Sequence, residues 1–73
     1  MKKKLGEIRK SGAKVEMWIK EFKGHTYLDV RRYFFSPASN TWEPTRKGFT
    51  MTSPEEAKKI VALLQEGIET LRW

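Results

Sequence analysis

Trp18, Lys20 and Phe22 stand at alternate positions of one run, Tyr27, Arg31 and Tyr33 at odd positions of the next, and Lys23 lies between the runs. Cations attract phosphate, and flat aromatic side chains offer faces on which unpaired bases stack, a combination that single-stranded nucleic acid requires. Duplex bases are already stacked and hide those faces. Stacking contributes roughly 1–3 kcal/mol per base and tolerates any sequence, so a surface of this kind binds without strong base preference. Taken singly, Trp18, Phe22 and Tyr33 fit ordinary packing on a sheet equally well; their interleaving with Lys20 and Arg31 favours stacking.

These residues need a sheet to present them on one side. From Lys14 to Phe35 the chain alternates, with Val15, Met17, Ile19, Leu28 and Val30 on one face and the cations and aromatics on the other. Lys23-Gly24 folds the two runs into a β-hairpin. With that pair as the loop, positions summing to 47 lie opposite, which sets Lys20 beside Tyr27 and Glu16 beside Arg31 as a cross-strand charge pair. Gly24 supplies the positive φ of a tight turn, although Lys-Gly is a weaker signal than Asn-Gly and also suits a one-residue bulge that would shift part of the pairing.

Around the hairpin, Met1 to Lys4 reads as a frayed basic tail and Leu5 to Lys10 as a short first strand ended by Ser11-Gly12. Ser36 to Asn40 has the composition of a loop. Trp42 to Thr45 either continues that loop or begins an edge segment, because Pro44 cannot donate to a ladder. Arg46-Lys47-Gly48 leads into a fourth strand at Phe49 to Thr52. Ser53-Pro54-Glu55-Glu56 then supplies an N-cap, a proline at the first helical position and a capping-box glutamate. In the helix that follows, Ile60, Val61, Leu64, Ile68 and Leu71 form one apolar stripe, expected to pack as core. Leu63 lies about 100° off the stripe and would need a subunit interface to cover it. Gly67 costs about 1 kcal/mol in a helix interior and marks a kink or a close contact.

The totals narrow the classes. A chain of 73 residues supports one domain, spanning residues 1–73, and buries only roughly 60% of its unfolded surface, for which dimerisation is a natural remedy. There is no cysteine, and the one histidine, His25, cannot form a metal cluster or, at a hairpin turn without an evident partner, a catalytic site. Glu16, Glu21 and Asp29 read as local charge partners. An enzyme is not expected, nor is a cofactor. No stretch approaches the ~20 apolar residues of a membrane span, and the basic start leads into Gly6, Glu7 and Arg9 rather than a signal core. A soluble intracellular protein, cytoplasmic or nucleoid-associated, is expected. Residues 1–52 hold twelve Lys/Arg against five acids, a net of +7, whereas residues 53–73 hold three against four, a net of −1. The cationic part is the sheet, which suggests a polyanionic partner.

Phe22-Lys23-Gly24, then Leu28-Asp29-Val30-Arg31 with Tyr33, then Pro44-Thr45-Arg46-Lys47-Gly48 and a capped amphipathic helix together resemble the transcriptional coactivator family of positive cofactor four, including its small bacterial and phage-type members. The resemblance runs from about Lys14 to the end of the helix. It implies an α+β fold, four antiparallel strands followed by one helix, assembled as a homodimer through helices and sheets, that binds single-stranded DNA without sequence preference. The family's binding positions fall on Lys20, Phe22, Lys23, Arg31, Arg46 and Lys47, and an aromatic position falls on Phe34. Phe34 has the opposite parity from Arg31, so the strand end must twist or bulge if both are to reach one DNA strand. His25 and Glu43 stand where the coactivator has lysines, and Arg32 where it has an acid. The coactivator's serine-rich regulatory tail has no counterpart here, so phosphorylation control and activator contacts are not expected to carry over.

The resulting expectation is a homodimer that holds phosphates on Lys20, Lys23, Arg31, Arg46 and Lys47 and bases on Phe22, Phe34 and Trp18, with Leu63, Leu64, Ile68 and Leu71 in the dimer interface. Single-stranded RNA is an alternative ligand, and a protein module whose basic face meets an acidic partner is an alternative function. An anionic membrane surface would need a basic amphipathic helix, and this one is slightly acidic.

Overall fold

The computed structural model describes residues 2–73. Strands β1 (Lys3–Lys10), β2 (Ala13–Phe22), β3 (His25–Ser36) and β4 (Thr41–Met51) form one antiparallel sheet in the order β1-β2-β3-β4, followed by helix α1 (Pro54–Leu71). β1 begins at Lys3, so Lys3 and Lys4 of the expected tail are part of the ladder, while Met1 lies outside the described residues.

The central hairpin has the register that the period-two pattern predicts. Glu16 lies opposite Arg31, Lys20 opposite Tyr27 and Phe22 opposite His25, without interruption to Ala13 and Phe34. Lys23 (φ 51°) and Gly24 (φ 80°) both occupy the left-handed region, as the two central residues of a type I′ turn do, and that turn matches the twist of its strands without a bulge.

Irregularity is confined to the outer strands. On β1 the pairing slips by one residue at Leu5, between Lys4 opposite Trp18 and Gly6 opposite Met17. On β4 it slips by two: Gly48 faces Arg31 and Pro44 faces Tyr33, leaving Thr45, Arg46 and Lys47 to span the single residue Arg32. The fourth strand is therefore much longer than Phe49 to Thr52. It includes Pro44, whose missing N–H is tolerated because β4 is an edge. The bulge is pinned at both ends. Thr45 Oγ1 donates to Arg32 O (2.7 Å) and accepts from Lys47 N (3.1 Å), while Gly48 lies so close to β3 that a Cβ would meet Val30 O at 2.4 Å and Arg31 Cα at 2.8 Å.

Helix α1 starts as its sequence specifies. Ser53 Oγ accepts from Glu56 N (3.2 Å), and the Glu56 carboxylate accepts from the Thr52 amide (2.8 Å), one residue earlier than the usual capping box. The expectation that its stripe packs as core is not met within the chain. The helix backbone approaches only β4, and no helical residue is buried; Val61, Leu64, Ile68 and Leu71 are 49–64% exposed. The molecule is a slab of 40 × 37 × 18 Å in which, among the described residues, Ala13 and Met51 are the buried apolar ones. The sheet face bearing Val15, Met17 and Val30 is likewise open, with Leu5 and Ile8 completing an apolar depression of about 360 Å³. Each such side chain, partly exposed, forgoes a share of the roughly 1.5–3 kcal/mol that full burial would contribute. Among the described residues, no helix is long and apolar enough to cross a membrane.

Candidate functional site

The opposite face of the sheet carries the charge. Because β2 and β3 alternate without a break, Lys14, Glu16, Trp18, Lys20 and Phe22 share this face with Tyr27, Asp29, Arg31, Tyr33 and Phe35. Its centre is Asp29, 2% exposed, whose carboxylate receives Arg31 Nε at 3.3 Å to each oxygen, Arg31 Nη2 at 3.0 Å and the Lys20 ammonium at 3.2 Å. Arg31 Nη1 donates to Thr45 O (3.0 Å), which ties the guanidinium to the bulge on β4. Burial pushes the Asp29 pKa upward, but the hydrogen bonds from Arg31 and Lys20 outweigh it and hold the carboxyl below its ordinary value. The hydrogen bonds that Arg31 donates to Asp29 in turn raise the pKa of Arg31. Lys20 and Arg31 are thus fixed cations, each with part of its side chain open to solvent.

The cross-strand pair of Glu16 and Arg31 is adjacent in register but is not an ion pair. Arg31 turns to Asp29 on its own strand, and Glu16, 4% exposed, takes the Lys14 ammonium at 2.7 Å, Lys4 at 3.6 Å and Trp18 Nε1–H at 2.7 Å. Burial raises Glu16, and the bonds from Lys14 and Trp18 overcome this to give a net lowering. Glu7 on β1 closes the network with Lys4, Lys14 (3.2 Å) and Arg9 (2.9 Å), and the hydrogen bonds from Lys4 and Lys14 bring its pKa down to about 2. Trp18 is held by Glu16 and is half-buried.

At the hairpin turn, Phe22 is 65% exposed with the Lys23 ammonium 5.4 Å from its ring centre. At the β4 edge, Arg46 and Lys47 project from the bulge, exposed, and their side chains have no hydrogen-bond or ionic partner among the described residues. Lys20, Phe22, Lys23, Arg31 and Trp18 thus gather on one face, with Arg46 and Lys47 at its β4 rim. Phe34 does not join them. The unbroken β2–β3 register sets it opposite Ala13 on the reverse face, and the bulge that could have re-aimed a side chain lies in β4 instead of β3. Leu63, Leu64, Ile68 and Leu71 are 49–61% exposed on the helix.

Reading the sequence for candidate site residues did not single out Arg9, Trp42 or Phe35, which the structure brings together around the Trp42 ring at the far end of this face. The parity of Phe35 with Arg31 and Tyr33 was a usable signal. Trp42 gave none, because its strand was obscured by Pro44.

Four antiparallel strands in a meander, one capped helix, and Lys20, Arg31, Trp18 and Phe22 on the sheet face opposite an open apolar one define a small ββββα module of the coactivator type. The chain belongs to the family described as Transcriptional Coactivator p15 (PC4), which it matches over residues 9–63. Among solved structures it is similar to the bacteriophage T5 homolog of the eukaryotic transcription coactivator PC4, a protein implicated in recombination-dependent DNA replication. The TM-score is 0.80 at 19% identity, covering 97% of this chain and 81% of that one. At that identity the likeness is one of fold. No curated protein sequence matches.

Proposed function

We propose that this protein binds single-stranded DNA without sequence preference, as a homodimer, in transcription, replication or repair, and that its role is binding and not catalysis. The observation that carries this reading is the arrangement around Asp29. Two cations, Lys20 and Arg31, are held in place on the face that also presents Trp18 and Phe22, with the exposed Arg46 and Lys47 at its β4 rim. Phosphates meet Lys20, Lys23, Arg31, Arg46 and Lys47, and bases stack on Phe22 and against Trp18. A duplex offers the same phosphates but no free base faces, which gives the single strand its advantage. The implication of the T5 relative in DNA replication supports the same setting.

The homodimer follows from the reverse side. Leu63, Leu64, Ile68 and Leu71 on α1, and the open depression around Met17, are more apolar surface than a lone chain of this size keeps in water. A second copy brings an equal and self-complementary surface. A cytoplasmic or nucleoid-associated location accords with such a role.

The test is a tryptophan-fluorescence titration with oligothymidine of about 20 nucleotides, within the reach of one or two binding surfaces of this kind, beside matched duplex and RNA. The expected result is tighter, salt-sensitive binding to the DNA single strand. Equal weak binding to strand and duplex would reduce the face to a nonspecific field, and tighter binding to RNA would reassign the ligand.

A further inference from the structure

At the end of the charged face away from the Lys23-Gly24 turn, the four strands converge on one side chain. The Trp42 ring of β4 meets the Phe35 ring of β3 edge-on, with centres 5.6 Å apart at 73°. The Lys14 ammonium of β2 lies 4.7 Å from the indole centre and the Arg9 guanidinium of β1 lies 5.4 Å from it. Lys14 is 6% exposed and its ammonium is taken by Glu16 and Glu7, so it holds the indole and is not available to a phosphate. Arg9 and Phe35 are the exposed members. Arg9 bonds Glu7 through Nε alone, and its two terminal nitrogens have no hydrogen-bond partner among the described residues. Phe35 is 41% exposed.

We propose that Trp42, Phe35 and Arg9 form a second subsite for an unpaired nucleobase and its adjoining phosphate, distinct from the Phe22–Arg31 region. The proposal rests on the single-strand reading above and extends it. Lys14 lies six residues from Lys20 along β2, a separation of about 20 Å, so a short oligomer occupies one region and a longer strand crosses the face to engage both. An aromatic pair already fixed by packing and by two cations loses little freedom when a base stacks on it. The base lies against the exposed Phe35 ring beside the half-buried Trp42, and the phosphate takes the terminal guanidinium nitrogens of Arg9. Charge and continuity with the Asp29 cluster favour this occupant over an apolar one: the ring is flanked by two cations, and the same face leads directly to Arg31.

The test uses the full chain and oligothymidines of about 4 and about 16 nucleotides, with wild type, Trp42→Leu, Trp42→Phe and Arg9→Gln, each checked for an unchanged sheet by circular dichroism. Wild type should gain affinity with length. Trp42→Leu and Arg9→Gln should each lose about tenfold on the long oligomer, the worth of one stacked base or charged contact, and under twofold on the short one. Trp42→Phe, which keeps a ring, should retain most of the gain. Equal losses on both lengths would mean that Trp42 serves only to hold the sheet together, and unchanged long-oligomer binding would mean that the strand does not pass over it. Either result overturns the subsite while leaving the single-strand reading intact. Wild type that binds neither oligomer overturns both.

Discussion

Asp29 and Arg31, two residues apart on β3, are joined by three hydrogen bonds of 3.0–3.3 Å in which a nearly inaccessible carboxylate fixes the guanidinium that faces solvent. On the proposed single-strand reading, an acid in the middle of this face opposes binding by its charge and favours it by its geometry. The two effects have opposite signs under mutation.

Asp29→Asn separates them. Simple charge counting predicts tighter DNA binding from the lost negative charge. Fixing two long side chains in advance is worth roughly 0.5–1.5 kcal/mol each, so the geometric role predicts binding weakened by about 5- to 150-fold. We expect the weakening, measured by anisotropy with oligothymidine at fixed salt; a gain in affinity would show that Asp29 is merely tolerated.

Salt dependence reports how many phosphates are neutralised. Five assigned cations and one further contact correspond to a log-log slope near −4, from about 0.7 per contact on single strands. Arg46→Ala with Lys47→Ala should reduce its magnitude by about 1.4 and weaken all sequences alike. A slope that does not change would remove the β4 rim from the binding surface.

Acid should unfold the protein through its paired carboxylates. The folded values of Asp29, Glu16 and Glu7 lie below their unfolded ones. Their stabilisation is therefore complete above the ordinary carboxylate range, about pH 4, and is lost as pH falls through the folded values. The melting temperature should be flat from neutral pH to about 5 and fall below that range. Asp29→Asn should show a smaller fall.

Gly48→Ala tests the close approach of β4 to β3. The new Cβ would press on the Val30 carbonyl and the Arg31 backbone, which cannot swing away as a side-chain end can. Overpacking of this kind costs typically 1–3 kcal/mol, readable as a lowered urea midpoint. An unchanged midpoint would mean that the edge strand can shift outward freely.

Leu64→Glu with Ile68→Glu should yield a monomer in sedimentation with the helical circular dichroism weakened, since the helix has little else to pack against. A stable dimer after both changes would move the interface to the sheet face alone.

The hairpin and the helix start were legible in the sequence because their causes are local: period-two alternation and one glycine set the β2–β3 register, and Ser53, Pro54 and Glu56 set the helix start. Features that depend on a choice between partners were not. Glu16 and Arg31 are neighbours, as the register foretold, yet Arg31 pairs with Asp29, and register alone does not decide between two carboxylates within reach. The length of β4 was hidden because Pro44 argues against a strand unless the edge position is known. Whether the stripe from Ile60 to Leu71 is covered is a matter of how far α1 leaves the sheet, which no periodicity encodes. The same holds for Trp42, whose contacts with Arg9 of β1 and Lys14 of β2 join strands that are not its neighbours in the sheet.

The slip of two residues in β4 has an evolutionary corollary. Because the excess is an even number, the strand rejoins its partner with the same side up, and Trp42 keeps its place beside Phe35. Losing one residue there would invert everything before it, whereas losing two would heal the ladder and strip the rim of its positive charge. On the proposed reading, such a pair of residues is the smallest unit by which a lineage could raise or lower the charge of this rim without changing which side of the edge strand faces up.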